Sequence, residues 1–249
     1  RSHKGENGQV LIRAGNDKYH GALLLASKTA ARIADLVFIS STPANLELIK
    51  KLKSKLAEFI AVPEEELSRH TRKADAILAG PGLGTEGKVK DKVNELVTNN
   101  KNKKIILDAD ALKVVDKNLL HSQCLVTPHA GEFKELFGVK AGRANVKKMA
   151  ARYGCTILLK GEKDIVSDGE EIKINEAGNP GMTKGGTGDV LAGLVAGLAS
   201  RNDLFLSACA GAFINGKAGD GLQQRKSYYY SASELIGEIP KTIKYYEEY

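Results

Sequence analysis

"DAILAGPGLG", Asp75–Gly84, joins a short apolar run to a turn built from Gly80, Pro81, Gly82 and Gly84. A compact apolar run closed by glycines reads as a strand buried on both faces. The pattern recurs along the chain. "KKIILDADAL" (103–112) repeats it, and "GQVLIRAGND" (8–17) reads as a strand over Val10–Arg13 followed by a turn. "DLVFIS" (35–40) and "TILLKG" (156–161) read as further buried strands. "CLVTPHAGEF" (124–133) reads as a strand ending at Pro128, with a helix starting near Glu132.

Helical patterns separate these strands. "GALLLASKTAARI" (21–33) is small and apolar at helical spacing, and Thr42-Pro43 opens the amphipathic "ANLELIKKLKSKL" (44–56). "DIVSDGEEIKIN" (164–175) is the one clear hairpin signal, two short strands about Asp168-Gly169. Three helices should close the chain. The first carries Leu191, Leu194, Val195 and Leu198 on one face, and the second is the small-residue run "LFLSACAGAFINGKAG" (204–219). The third is signalled by the capping-box spacing of Ser231 and Glu234, and Pro240 is expected to break or kink it. Strands alternating with helices imply a mostly parallel sheet covered on both faces. No linker, repeat or low-complexity block divides residues 1–249, so one α/β domain with a small β-hairpin excursion is expected.

Composition narrows the partners. The 249 residues are 42% hydrophobic and 27% charged, an ordinary globular balance with room for a large core. The formal charge is +7, but the lysines lie among acids on helix-like segments, aromatics are 6% and Trp is absent. That reads as solvated helix faces that help attract anionic nucleotides, not as a nucleic-acid surface. No apolar run reaches the roughly 20 residues of a membrane span, and no signal-peptide pattern opens the chain. Cys124, Cys155 and Cys209 are isolated and odd in number, which points to a reducing cytoplasmic setting.

In an open parallel sheet, ligands bind beyond the carboxyl ends of the strands. The polar clusters "AGNDKYHG", "GPGLG", "DADAL", "TPHAGEF" and "KGEKD" all follow apparent strands, and so converge on one rim. "NPGMTKGGTGDVLAG" (179–193) joins them. Gly185, Gly186 and Gly188 let backbone N–H groups approach a guest without a Cβ in the way, and the helix that follows turns its positive end toward it. Thr187 can add a hydroxyl donor, so the loop reads as an anion hole. Asp189 reads either as a capping acid or as a catalytic carboxylate. His129 and Glu132 read either as a polar helix cap or as a substrate contact and an acid organising water about Mg2+. Of Asp108 and Asp110, one positions a helix start and one faces the site. Lys160–Asp164 reads as a phosphate or ribose contact, or as a plain surface turn. His3, His20, His70 and His121 have no partner pattern and read as solvated.

Taken in order, "SHKGENG…AGNDKYHGA", "GPGLG", "LDADAL", "TPHAGEF", "LLKG" and "GNPGMTKGGTGDVLAG" resemble the NAD(P)H-hydrate dehydratases over nearly the whole chain. The resemblance implies a ribokinase-like three-layer α/β/α fold. It implies dehydration of the S-form of hydrated NADH or NADPH, with ADP favoured over ATP as co-substrate and Mg2+ present. The hydroxyl would be phosphorylated and phosphate then eliminated. By the same resemblance, Asp189 is the catalytic base at the substrate hydroxyl, and Ala22, Gly82 and His129 bind the hydrate. Lys160, Gly161, Glu162, Lys163, Asp164 and the loop Gly185, Gly186, Thr187 and Gly188 take the nucleotide, with Glu132 near the metal. A homo-oligomer, a tetramer, is implied. The start at Arg1 suits the dehydratase half of a bifunctional protein carrying an epimerase. One departure is "ARIADLVFIS" (31–40), where relatives are glycine-rich; it touches turn geometry and subunit packing. The competing readings are a vitamin-precursor kinase of the same superfamily and a non-catalytic nucleotide-binding module.

Overall fold

The computed structural model describes residue 3, residues 5–52 and residues 57–247; the side chain of residue 52 is not described. The strands are β1 (Gln9–Arg13), β2 (Leu36–Ser40), β3 (Ile60–Ala61), β4 (Ala76–Ala79), β5 (Lys104–Leu107), β6 (Cys124–Val126), β7 (Thr156–Leu159), β8 (Asp164–Ser167) and β9 (Ile172–Asn175). They form one sheet in the order β3-β2-β1-β4-β5-β6-β7-β8-β9. The pairings from β3 to β7 are parallel, and β7-β8-β9 is antiparallel. The hairpin therefore extends the main sheet at its edge instead of standing apart from it.

The helices are α1 (Gly21–Ala30), α2 (Pro43–Leu52), α3 (Leu67–Lys73), α4 (Val89–Asn99), α5 (Asp110–Val114), α6 (Ala130–Phe137), α7 (Arg143–Tyr153), α8 (Thr187–Ala199), α9 (Leu204–Lys226) and α10 (Ala232–Glu247). Alternate residues of each strand feed opposite cores. Leu11, Ile77, Ile105, Val126 and Ile157 pack with residues of α4 to α7. Val10, Ile12, Leu78, Ile106 and Leu125 pack with residues of α1, α8 and α9. A third cluster, Val190, Leu194, Leu222, Tyr230, Leu235 and Ile239, fastens α10 outside α8 and α9. No helix among the described residues is long and apolar enough to cross a membrane.

Several local expectations change. α8 is not one-sided: Val190 to Gly197 are all buried, because the sheet, α1, α9 and α10 surround the helix. α6 starts at Ala130, with His129 as its cap, two residues before the expected start. The end of the expected helix at 44–56 lies outside the described residues. α10 runs through Pro240, held by Leu235, Ile236 and Ile239, after a cap in which Ser231 and Glu234 exchange backbone hydrogen bonds. In "ARIADLVFIS", Asp35 accepts the N–H groups of Gly5 and Asn7 at 2.9 and 3.1 Å.

Chain order reverses between β1 and β4, which opens a crevice beyond their carboxyl ends. Two glycines bring the rim together. Gly80, at φ 131°, lies against the β5 end, where a Cβ would sit 1.8 Å from the Asp108 carbonyl oxygen. A Cβ on Gly193 would sit 2.3 Å from the Ala26 carbonyl oxygen, so α8 touches α1 backbone to backbone. Gly80→Ala is expected to cost at least about 2 kcal/mol of unfolding free energy in urea titrations, since it meets both the φ penalty and a main-chain clash.

Candidate active site

Two clefts open on the rim, and the N-terminus of α8 stands between them. The first, of about 550 Å3, is lined by Lys18, Tyr19, His20 and Ala22 after β1, Gly82 after β4, Asp110 and Lys113 after β5, and Gly185, Gly186 and Asp189. The second, of about 610 Å3, is lined by Lys160–Asp164, Ala177–Pro180, Thr187, Gly188, Leu191, Ala212, Asn215 and Gly216. Consecutive residues of one helical turn, Gly188 and Asp189, thus belong to different clefts.

The helix start is built for an anion. Gly186 caps α8 at φ 95°, with no side-chain cap. First-turn N–H groups have no intrahelical partner, and those of Gly188 and Asp189 find none among the described residues. The Thr187 hydroxyl is not an available donor, as it is turned into the loop against the Met182 and Lys184 carbonyl oxygens at 2.6 and 2.8 Å. Gly185 and Gly186, expected at the nucleotide, line the first cleft instead, because the loop wraps around the helix end.

Lys160 and Asp108 fix the charge at this point. Asp108 is 2% exposed, and its Oδ1 accepts from Lys160 Nζ at 2.6 Å and from the Thr127 hydroxyl at 2.8 Å. Burial alone pulls the Lys160 ammonium down, but the charge and hydrogen bond of Asp108, with Glu132 and Asp189 behind them, outweigh it and hold Lys160 above its ordinary value. A Cβ on Gly188 would lie 3.8 Å from Lys160 Nζ, which sets the ammonium beside the first turn of α8. Asp189 accepts no hydrogen bond among the described residues. Burial first, then the charge of Asp108, push its carboxyl up to about 6; Lys160 opposes this and Asp110 adds to it. Between the two rim acids, Ala109 takes φ 48°, a strained value for a residue with a Cβ.

His129 and Glu132 line neither cleft. His129 Nδ1 accepts the N–H groups of Gly131 and Glu132 at 3.0 and 3.1 Å, so the ring proton sits on Nε2. Glu132 is buried and returns Oε2 to the His129 N–H at 2.9 Å, completing a capping box. His129 bridges to Lys160 across the strand ends, where the Lys160 N–H donates to the Pro128 carbonyl oxygen at 2.8 Å. In the Lys160–Asp164 turn, Asp164 is occupied by the Gly161 N–H and by Asn175, and Lys163 pairs with Glu176. Of the four histidines expected to be solvated, His3 is exposed, and the other three are engaged. His20 bonds to Asn45 and lines the first cleft, His70 packs on Phe38 at 4.5 Å between ring centroids, and His121 meets the Val97 carbonyl oxygen at 3.2 Å. Asp110 serves both proposed roles, opening α5 while its Oδ2 accepts the Gly84 N–H at 2.9 Å.

Residues 10–241 match the family model described as NAD(P)H-hydrate dehydratase. The chain belongs to the NAD(P)H-hydrate dehydratase family. It is 40% identical to the bifunctional NAD(P)H-hydrate repair enzyme Nnr of Methanocaldococcus jannaschii, over 99% of this chain and 50% of that protein. The chain thus spans about half the length of the bifunctional relatives it matches. It is 37% identical to the ADP-dependent (S)-NAD(P)H-hydrate dehydratase of Cenarchaeum symbiosum, over 98% of this chain and 91% of that protein. Among solved structures, a ribokinase-like superfamily protein of Enterococcus faecalis superposes with a TM-score of 0.89 at 28% identity, covering 98% of this chain and 89% of that one. An ADP/ATP-dependent NAD(P)H-hydrate dehydratase of Bacillus subtilis, co-crystallised with ATP/Mg2+, gives 0.83 at 26% identity, covering 99% and 92%. The fold is ribokinase-like.

Of the residues that the motifs of this dehydratase-family chain single out, Ala22, Gly82 and Asp189 line the first cleft and Lys160 and Gly188 the second; Lys18 and Asn215, which line the same clefts, carry no motif signal of their own, and His20 reads as solvated. "DADAL" marked Asp108 as a strand-end acid; nothing in the sequence pairs it with Lys160, 52 positions away. Removing one partner of such a buried pair strands the other charge. Lys160→Met is expected to cost about 3 kcal/mol in urea unfolding, and Lys160→Met combined with Asp108→Asn should recover most of that loss.

Proposed function

We propose that this chain dehydrates the S-form of hydrated NADH or NADPH at the expense of a nucleoside phosphate, with ADP as the working co-substrate. The observation that carries this reading is the shared wall of the two clefts, where Gly188 faces one and Asp189 the other. The hydrate lies in the first cleft beside Ala22, Gly82 and Asp189. The nucleotide lies in the second, its phosphates toward Lys160 and the free N–H groups at the start of α8. Asp189 takes the proton of the hydrate hydroxyl as that oxygen attacks the terminal phosphorus, and the nucleotide, one phosphate shorter, leaves with the bonding electron pair on its bridging oxygen. The C–O bond of the new phosphate ester then breaks with phosphate as the leaving group, a far better one than hydroxide, while the adjacent ring carbon gives up a proton to water, which restores the ring double bond. Lys160 and the helix N-terminus stabilise charge on the transferred group.

The residues do not build a magnesium site by themselves. Among the described residues no group of three or more His, Cys, Asp or Glu could hold an ion. Glu132, expected near the metal, has Oε2 committed to the His129 N–H and lines neither cleft, so no step above is routed through magnesium. A homo-oligomer in a reducing cytoplasm belongs to the same proposal. The free cysteines and the outward-facing Leu206 and Tyr229 are compatible with it, and light scattering of the purified protein tests the assembly.

A vitamin-precursor kinase would share the first step, and the fate of the ester separates the two readings. Recovery of the NADH absorbance band from hydrated NADH plus ADP supports the dehydratase; an accumulating phosphorylated product without recovery refutes it. Asp189→Asn should cut kcat by at least about a hundredfold while leaving the affinity for ADP within a few fold. With a carboxyl near 6, wild-type kcat/KM should fall on acidification through pH 6, as the base becomes protonated. A folded-state value raised above the unfolded one means that ionised Asp189 opposes folding. The penalty is absent well below pH 4, grows as pH rises from 4 to 6 and is complete above 6. Asp189→Asn should therefore stabilise the fold at pH 7, by up to about 3 kcal/mol, and the gain should vanish near pH 3.5 in denaturant titrations.

A further inference from the structure

His20 occupies the cap position of α1, yet its side chain makes no capping hydrogen bond and turns instead to α2, where its Nδ1 meets the Asn45 side-chain oxygen. Asn45 is 1% exposed, and its neighbours leave its amide one orientation. Its Nδ2 donates to the Asn16 carbonyl oxygen at 3.1 Å and to Ser41 Oγ at 2.9 Å. The Ser41 hydroxyl gives its own proton to the Ala14 carbonyl oxygen at 2.6 Å, so toward Asn45 both neighbours only accept. Oδ1 is therefore the atom that faces His20. An amide oxygen only accepts, so the imidazole proton sits on Nδ1 and the neutral ring carries its lone pair on Nε2. Nε2 has no hydrogen-bond partner among the described residues and is not sealed from solvent. The buried Asn45 thus holds a half-buried imidazole, with one accessible acceptor, in the lining of the first cleft.

The residues already placed at the hydrate surround this ring. Gly193 of α8 touches Ala26 of α1, and a Cβ on Gly197, one turn later, would sit 2.8 Å from Ile33, just past the end of α1. The two helices therefore run in the same direction. One turn before the Gly193–Ala26 contact, Asp189 and Ala22 stand at matching levels, and His20 precedes Ala22 by two residues. Gly82 closes the same corner, where a Cβ would sit 2.8 Å from Tyr19 Cβ and 3.2 Å from Ala22 Cβ. The hydrated nicotinamide ring carries two hydrogen-bond donors, its hydroxyl and its carboxamide NH2, because its ring nitrogen bears the ribose. Asp189 takes the hydroxyl. We propose that His20 Nε2 accepts a hydrogen bond from the carboxamide of the hydrate, so that two contacts orient the ring with its hydroxyl at Asp189. This rests on the reading of the first cleft as the hydrate site. It makes His20 a specificity-determining residue for the carboxamide, with its tautomer set by Asn45.

The test compares the hydrate of NADH with the hydrate of reduced 3-acetylpyridine adenine dinucleotide, in which a methyl group replaces the carboxamide NH2, in wild type, His20→Phe and His20→Leu. The ratio of kcat/KM for the two hydrates is read for each protein, so their difference in intrinsic reactivity cancels between proteins. Both variants should lower the preference for the NADH hydrate by about tenfold or more relative to wild type, since a site built to hydrogen-bond a group rejects an analogue without it. The loss should fall on the NADH hydrate, while the analogue and ADP are used nearly as by wild type. A ratio unchanged in either folded variant, with both hydrates dehydrated, overturns the proposal. So does a 15N spectrum of the wild-type protein that places the proton of neutral His20 on Nε2. Calorimetric titration of each hydrate without nucleotide reads the same ratio in Kd. A His20-dependent preference there, with no NADH recovered with any nucleoside phosphate, would uphold the carboxamide contact while overturning the dehydratase reading.

Discussion

One carboxylate oxygen ties three successive strands together at the rim. Asp108 follows β5, Thr127 follows β6 and Lys160 follows β7, and all three meet at Asp108 Oδ1. Parallel strands already share their direction and register; this contact also fixes where their carboxyl ends stop. The turns that carry Asp110 to the first cleft and Lys160–Asp164 to the second leave from two of these ends. Gly80 brings the β4 end against the Asp108 carbonyl, so the β4 loop carrying Gly82 is located by the same short segment. The strained Ala109 is then intelligible as the turn that lets Asp108 point inward while Asp110 faces the rim two residues later.

Two acids near one ammonium end in different states of engagement, and that difference separates support from chemistry. Asp108 accepts a hydroxyl and an ammonium and is sealed from solvent. Asp189 accepts nothing, opens to the first cleft and is pushed up by burial and by its neighbour's charge. A carboxylate with its hydrogen bonds filled is a poor proton acceptor; one without them, raised toward neutrality, is a good one. Lys160 is shared between these demands. It neutralises Asp108, moderates Asp189 and presents its charge beside Gly188, where a transferred phosphoryl group would pass.

The sheet was legible because compact apolar runs and glycine punctuation are local signals. β1, β2, β4, β5 and β7 fell on the runs that suggest them, and the hairpin on Asp168-Gly169. Pro240 does not break α10, because core packing of the helix outweighs a local helix-breaking tendency. The Leu191–Leu198 stripe misleads because α8 is enclosed on every side, a fact set by the partners of the helix and not by its own period. At the site, the glycine loop, Asp189 and the strand-end turns carry motif signals of their own. The pairings of Asp108 with Lys160 and of His20 with Asn45 do not. Their meaning lies in contacts between segments far apart in the chain.

Enclosure of α8 also explains why the Asp189 carboxyl stays raised. An acid in the first turn of a helix is favoured by the helix dipole, yet Asp189 is raised, so burial and neighbouring charge outweigh the dipole here. Such a carboxylate persists only if the helix cannot move away from the charges that disfavour it. The Gly193–Ala26 backbone contact and the shell of α1, α9 and α10 deny it that relaxation. The helix is therefore a rigid partition, one residue thick where it matters, with its free N–H groups and its acid facing adjacent clefts. A phosphoryl group crossing from one to the other would travel along the partition's edge, where charge is already oriented to receive it, and no domain movement would be needed to bring donor and acceptor together.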